Sequence, residues 1–229
     1  QYSAGETSVR PDVVCYNALL NAYGWSDFEG KGKKCYDIYK SMRQGYETGT
    51  HRQLKPDVIT CNSVLNACAH DTVTSETDKA DVMRYVASVF ENFDSAAPRF
   101  GRPDHLTFAH IIAAATKHMP ESEQRTKFAE ATFWQCCQNG RLSPLVVSTL
   151  HVCIPHADLK RLLGPALHSK EGEATLKFDK RKFPSEWTQN ASRARNVRSR
   201  PSKKRGTKPV SKVHAAVQKE KKQKHNKKK

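Results

Sequence analysis

Residues 10–23 read RPDVVCYNALLNAY and residues 55–68 read KPDVITCNSVLNAC. The order of basic residue, Pro-Asp, two β-branched residues and Asn is thus written twice. A third version, RPDHLTFAHIIAAA at residues 102–115, keeps the opening but has Ala109 where the others have Asn17 and Asn62. Aligned, the three stretches put Tyr16, Cys61 and Phe108 in one column and Leu19, Val64 and Ile111 in the next. Leu20, Leu65 and Ile112 form a third column, and Tyr23, Cys68 and Ala115 a fourth. These columns stand at i, i+3, i+4 and i+7, the buried stripe of an amphipathic helix. Each helix opens alike. Pro fixes the entering backbone, and Asp12, Asp57 or Asp104 can accept from free first-turn N–H groups while facing the positive helix end.

A second amphipathic helix is expected after each opening. The first runs roughly from Lys33 to Gln44, with Cys35, Ile38, Tyr39 and Met42 inward. The second runs from Thr77 to Phe93, with Val82, Val86, Phe90 and Phe93 inward. The third runs from Ser122 to Asn139, with Phe128, Ala131, Trp134 and Cys137 inward. Nothing in this region alternates at period two, so the fold class is all-α. The unit is helix, turn, helix and a return to Pro-Asp. Repeat 1 spans 13–57, repeat 2 spans 58–104, and a degenerate repeat 3 spans 105–143. One helical hairpin cannot bury its apolar face alone, so such units are expected to stack into an α-solenoid. Residues 1–12 match the end of a unit, since Val9-Arg10-Pro11-Asp12 parallels Leu54-Lys55-Pro56-Asp57, and further units are expected upstream. Residues 144–164 read as a pair of capping helices broken at Pro155, without a Pro-Asp opening.

The chain's formal charge of +16 is unevenly placed. Residues 191–229 carry 16 of the 39 Lys and Arg but only Glu220 among acids, a net +15, which leaves a near-neutral body. With few large apolar residues, this tail cannot bury enough surface to offset ordering and is expected to be disordered. Its Arg193, Arg195, Arg198, Arg200, Lys203, Lys204, Arg205 and Lys208 are candidate phosphate contacts. Between body and tail, residues 165–190 read as a linker or a docking segment. Phe178, Phe183 and Trp187 there suit folding back on the last helices better than a base-stacking platform. No apolar run approaches the roughly 18–20 residues needed to span a bilayer. The seven cysteines include no CxxC pair, and Cys15, Cys61, Cys68 and Cys137 read as small buried side chains in a reducing compartment. Adjacent Cys136 and Cys137 point to different helix faces. No HExxH, GxSxG, P-loop or nuclease-like acidic cluster occurs, so no enzyme activity, cofactor or metal site is expected.

The frame Pro-Asp-Val-Val-x-Tyr-Asn-x-Leu-Leu-x-Ala-Tyr resembles the opening of a pentatricopeptide repeat, a helical hairpin of about 35 residues. The match is specific in residues 11–24 and 56–69, weaker in the third unit, and covers residues 9 to about 143. Extra residues at 45–55, 70–77 and 95–101 lengthen the turns, where loop closure costs little. Proteins of this family bind single-stranded RNA at about one base per repeat. By that resemblance, Asn17 with Asp57, and Asn62 with Asp104, would each read one base and favour uracil. Val14, Ile59 and Leu106 would press against the bases from the side. Ala109 has no group to offer a base, so the third unit would be a spacer or an unselective contact.

Asp12, Asp57 and Asp104 are useful as N-caps in any scaffold. Asn17 and Asn62 fall off the apolar stripe, and Asn costs some tenths of a kcal/mol against Ala inside a helix. Asn21 and Asn66 share their face four residues on. The pattern supplies no evident scaffold use for such a ridge. The resemblance therefore implies a sequence-selective, single-stranded RNA-binding protein acting on organellar transcripts. Its partner would be uridine-containing RNA and its location mitochondrion or plastid, with a nuclear reading of SKKRGTK as the alternative. The alternative function is a helical-repeat protein adaptor, ribosome-associated or within RNA-processing machinery, with the tail binding RNA unspecifically. No membrane partner is expected under either.

Overall fold

A Pro-Asp dipeptide stands before three of the first helices because it ends one chain direction and starts another. In the computed structural model, which describes residues 10–93, 100–169 and 176–191, α1 (Val13–Trp25), α3 (Val58–Ala69) and α5 (His105–His118) begin directly after Asp12, Asp57 and Asp104. Each Asp has extended backbone angles and accepts the N–H of the third helical residue: Cys15, Thr60 and Thr107. At Asp57 and Asp104 the bond is reciprocated, because the Thr hydroxyl accepts the Asp N–H at 3.1 and 3.0 Å. These are capping boxes built with Thr, and they satisfy donors that a helix start otherwise leaves open.

The intervening helices are α2 (Lys31–Glu47), α4 (Glu76–Phe90, extended by a 3₁₀ turn Glu91–Phe93) and α6 (Glu123–Gln138). Ser75 and Ser122 cap α4 and α6 through their hydroxyls. Then come α7 (Pro144–Cys153), capped by Ser143, and α8 (His156–Leu163). A last short helix, α9 (Ser185–Thr188), ends the described chain. The fold is all-α: among the described residues the only extended pairing is one isolated antiparallel bridge, Leu167 with Phe178. No described helix is long and apolar enough to cross a membrane.

Packing follows the columns of the sequence. The odd helices form a row, α1 against α3, α3 against α5 and α5 against α7, while α2, α4 and α6 pack behind them. Leu65, Val64, Cys61 and Cys68 of α3 are fully buried, as are Phe108, Ile111, Ile112 and Ala115 of α5. Two clusters result. One joins α1 to α4 with Ile111 and Ala114 of α5, and the other joins the rest of α5 to α6, α7, α8 and Phe183. Burial pushes the thiols of Cys35, Cys61 and Cys137 up to about 12, so they stay protonated apolar fillers. Cys15 departs from that expectation and is exposed. Leu19 departs too: it stands 44% exposed, because no described helix covers the flank of α1 that α1 itself covers on α3.

The α2 start carries a device that no local signal announced. Gly30 has a left-handed backbone and no side chain to cap with. Asp71, from the turn after α3, does the capping instead. It is fully buried and accepts the N–H groups of Gly30 at 2.9 Å and Gly32 at 2.8 Å. Gly32 is required there, since a Cβ would stand 2.8 Å from Asp71 Oδ2. Lys31 closes the same corner by donating to the carbonyls of Gly24 and Ser26.

The inward face expected for α6 is corrected. Ala131 and Trp134 are exposed, and the buried positions are Arg125, Ala129, Thr132, Phe133, Cys136 and Cys137. Apolar residues occur almost all round this helix, so periodicity alone could not choose a side. The side is chosen by the later chain. Trp187 lays its ring edge-on to Phe133 and Trp134, and its carbonyl accepts the N–H of Leu142 at 2.8 Å. Phe183 stacks on Trp187 and is buried, so residues 176–191 dock on the α6–α7 corner. The basic residues Arg193, Arg195, Arg198, Arg200, Lys203, Lys204, Arg205 and Lys208 lie outside the described residues.

Candidate functional site

The row of odd helices sets one N-terminal edge, along which the capping residues Asp12, Asp57, Asp104 and Ser143 stand in equivalent places. Two residues past each cap sits Val14, Ile59, Leu106 or Leu145. All four are exposed, at 68%, 58%, 36% and 44%. A large apolar side chain left in water at one register position of four alternate helices is not demanded by the fold. Leu145 joins a column that the sequence reading closed at Leu106. It was hidden because α7 opens Ser-Pro rather than Pro-Asp.

Five residues past the caps lie Asn17, Asn62, Ala109 and Ser148. The structure brings Asn17 to Asp57 and Asn62 to Asp104, joining each first helix to the cap of the next. Asn17 Nδ2 donates to Asp57 Oδ1 at 3.2 Å, and Asn62 Nδ2 donates to Asp104 Oδ1 at 3.0 Å. The amide oxygens are engaged as well. Thr60 Oγ1 donates to Asn17 Oδ1 and Thr107 Oγ1 donates to Asn62 Oδ1, each at 2.7 Å. Two Asn–Asp–Thr groups, built alike, therefore bridge α1 to α3 and α3 to α5.

The Asn column does have a use in the scaffold, because each amide holds two neighbouring helices in register. Asn62, read as lying off the apolar stripe, is buried. Yet neither group is saturated at its outer edge. An amide offers two N–H donors and two oxygen lone pairs, and one of each is engaged. Every hydrogen bond to the two carboxylates falls on Oδ1: Thr60 N, Thr60 Oγ1 and Asn17 at Asp57, and Leu106 N, Thr107 N, Thr107 Oγ1 and Asn62 at Asp104. Each group thus keeps a second carboxylate oxygen as an acceptor and a second amide N–H as a donor.

Further along the same stripe come Asn21, Asn66, Ala113 and Val152, then Trp25, His70 and Lys117. Trp25 is largely exposed, with its indole N–H held by Asn21 Oδ1 at 3.2 Å. Gly24 lets α1 approach α3 closely at this point, where a Cβ would stand 2.7 Å from Asn66 Nδ2 and the amide would have to move. His110, one position round from Ala109, has its pKa pulled down to about 4, first by burial and then by His70, so it is neutral at pH 7. Asp12 is held below the usual carboxylate range by the Cys15 N–H. The edge thus offers exposed apolar residues, oriented amides and carboxylates. Among the described residues no group of three or more His, Cys, Asp or Glu could hold a metal ion.

Comparison of the chain with models of protein families, with curated proteins and with solved structures finds no match.

Proposed function

We propose that this chain is a pentatricopeptide-type α-solenoid that binds single-stranded RNA along the N-terminal edge of its first helices and selects bases at two adjacent positions. The observation that carries the reading is the alternation along that edge: an exposed apolar residue, a fixed Asn–Asp pair, then the next exposed apolar residue. Packed helices stand about 8–10 Å apart. Two apolar side chains at that spacing leave a slot for one flat base between them. The Asn amide and the outer Asp oxygen then face the base's polar edge. Val14 and Ile59 flank the slot of Asn17 and Asp57, and Ile59 and Leu106 flank that of Asn62 and Asp104. A third slot, between Leu106 and Leu145, has only Ala109 and Ser143 to offer and binds without strong preference.

Base contacts contribute about 1–3 kcal/mol each, and two of them fall short of the roughly 8 kcal/mol that micromolar binding requires. The remainder comes from phosphates. In this reading the tail residues from Arg193 to Lys208 supply it, which makes affinity salt-dependent and leaves selectivity to the helical edge. The function is non-catalytic binding of organellar transcripts, for their processing, stabilisation or translation.

Selection from a random pool of single-stranded RNA tests this reading. Enriched sequences carry two adjacent positions of strong preference, both uridine, beside positions of weak preference. A pool enriched only by length or overall composition removes the reading and leaves a helical adaptor whose tail binds any polyanion.

A further inference from the structure

We propose that Thr60 and Thr107 are positioning residues that lock the amides of Asn17 and Asn62 in one orientation, and thereby fix the order of donor and acceptor each slot presents. The inference rests on the RNA-reading function just given and names what sets its selectivity.

An Asn side chain can turn over by half a rotation, which exchanges its donor and acceptor ends. A reader that turns over freely presents either order and discriminates poorly. Each Thr hydroxyl accepts the N–H of its own Asp, at 3.1 Å for Thr60 and 3.0 Å for Thr107. Its single proton then has two acceptors in reach, and the Asn oxygen, at 2.7 Å in both units, is nearer than the Oδ1 of its own Asp at 3.0 and 3.2 Å. Were the amide reversed, its NH₂ would meet that hydroxyl and its oxygen would meet Asp Oδ1. The second contact sets two oxygens against each other at the distance now held by a hydrogen bond. Both ends of the amide thus report the same orientation, with nitrogen toward Asp and oxygen toward Thr.

The pairing within the chain separates this role from simple helix capping. A cap needs only the Asp and a backbone N–H, and Asp12 manages with Cys15 at the equivalent position, its N–H at 3.0 Å. Thr occurs opposite an Asn on the neighbouring helix of the row, Thr60 on α3 opposite Asn17 on α1 and Thr107 on α5 opposite Asn62 on α3. Opposite Ala109, where there is no amide to orient, the same place holds Val146. The hydroxyl is present where it has an amide oxygen to hold.

The test compares the full chain carrying Thr60→Val with Thr107→Val against the chain carrying Thr60→Ser with Thr107→Ser. Valine keeps the shape and removes the hydroxyl, while serine keeps the hydroxyl. The readouts are the ratio of affinities for oligouridine and oligoadenosine, and the side-chain amide resonances of Asn17 and Asn62 without RNA. The lock predicts that the valine protein loses most of its preference, on the order of tenfold across two positions, with overall oligoadenosine affinity retained and the two amide resonances shifted. The serine protein keeps the parent ratio. If the parent prefers uridine and the valine protein keeps that preference, the Thr residues serve only as caps and the inference is overturned while the reading stands. If the parent itself has no preference, the RNA reading falls and the inference with it. Should the valine pair cost the helical signal, Thr107→Val alone puts the same question to one slot, with a loss of about threefold expected.

Discussion

Replacing Asp71 by Ala removes an acceptor that the start of α2 cannot replace. The carboxylate is fully buried and takes the N–H groups of Gly30, Gly32 and Thr72 at 2.9, 2.8 and 2.8 Å. Thr72 is exposed and its N–H finds water. The Gly32 N–H is buried and the Gly30 N–H partly so. An unsatisfied buried donor costs about 1–3 kcal/mol, and charged acceptors lie toward the upper end. Two such donors, one of them partly relieved by solvent, bring the expected loss to about 3 kcal/mol. That is a large share of the roughly 5–15 kcal/mol that holds an ordinary domain. With a urea dependence of about 1–3 kcal/mol per molar, the midpoint falls by about 1.5 M. Urea unfolding followed by helical circular dichroism measures it, and hydrogen exchange locates it, with protection lost first in α1 and α2. The control is Asp37→Ala, which breaks an exposed i,i+4 pair with Lys33 at 2.9 Å and is expected to change stability by less than about 0.5 kcal/mol. An Asp71→Ala protein within about 0.5 kcal/mol of the parent would refute the argument that this corner is held by one buried carboxylate.

Trp187→Ala removes the ring wedged on Phe133, Trp134 and Phe183 and is expected to cost about 2 kcal/mol, since the ring is only partly buried; limited proteolysis then cuts within 176–191 before the helices, and an unchanged pattern would count against docking. His110 supplies a pH test. Its folded pKa is depressed to about 4 from 6.5, so between those values the unfolded chain binds the proton and the folded chain does not. Stability therefore falls as pH drops through that window, by about 2 kcal/mol between pH 7 and pH 5 for this group. His110→Gln removes that increment from a urea series run at the two pH values, and an unchanged slope would show that His110 is not kept neutral by its surroundings.

The sequence carried much of the row of first helices because two signals agree there: Pro-Asp fixes each start, and the i, i+3, i+4 columns fix each face. The amphipathic spacing read in the second helices placed Cys35, Tyr39 and Met42 of α2 and Val82 and Val86 of α4 in the core, where they are buried. The face of α6 was not legible, because the partner that selects it is Trp187, about fifty residues later. Leu145 escaped because its helix uses Ser143 and Pro144 to begin, an opening that does the same physical work in other residues. At the candidate site, Asn and Asp stood out as columns, but the pairing of Asn17 with Thr60 and Asn62 with Thr107 spans 43 and 45 residues. No periodicity reports a contact of that kind. Thr60 and Thr107 belong to none of the columns read from the sequence, and only the folded chain sets them against an amide. What changed most is the weight of Asn17 and Asn62: they are latches between helices as well as candidate readers.

That double use sets the decisive measurement. Asn17→Ala combined with Asn62→Ala is compared with the parent for binding to uridine-containing RNA and to poly(A) at one salt concentration, with helical content checked in parallel. The account predicts that uridine-containing RNA loses roughly 2 kcal/mol or more across the two slots, about thirtyfold, while poly(A) binding changes little and the fold persists. Equal losses on both RNAs, or none while deletion of residues 192–229 abolishes binding, would contradict it and leave the two asparagines as latches alone.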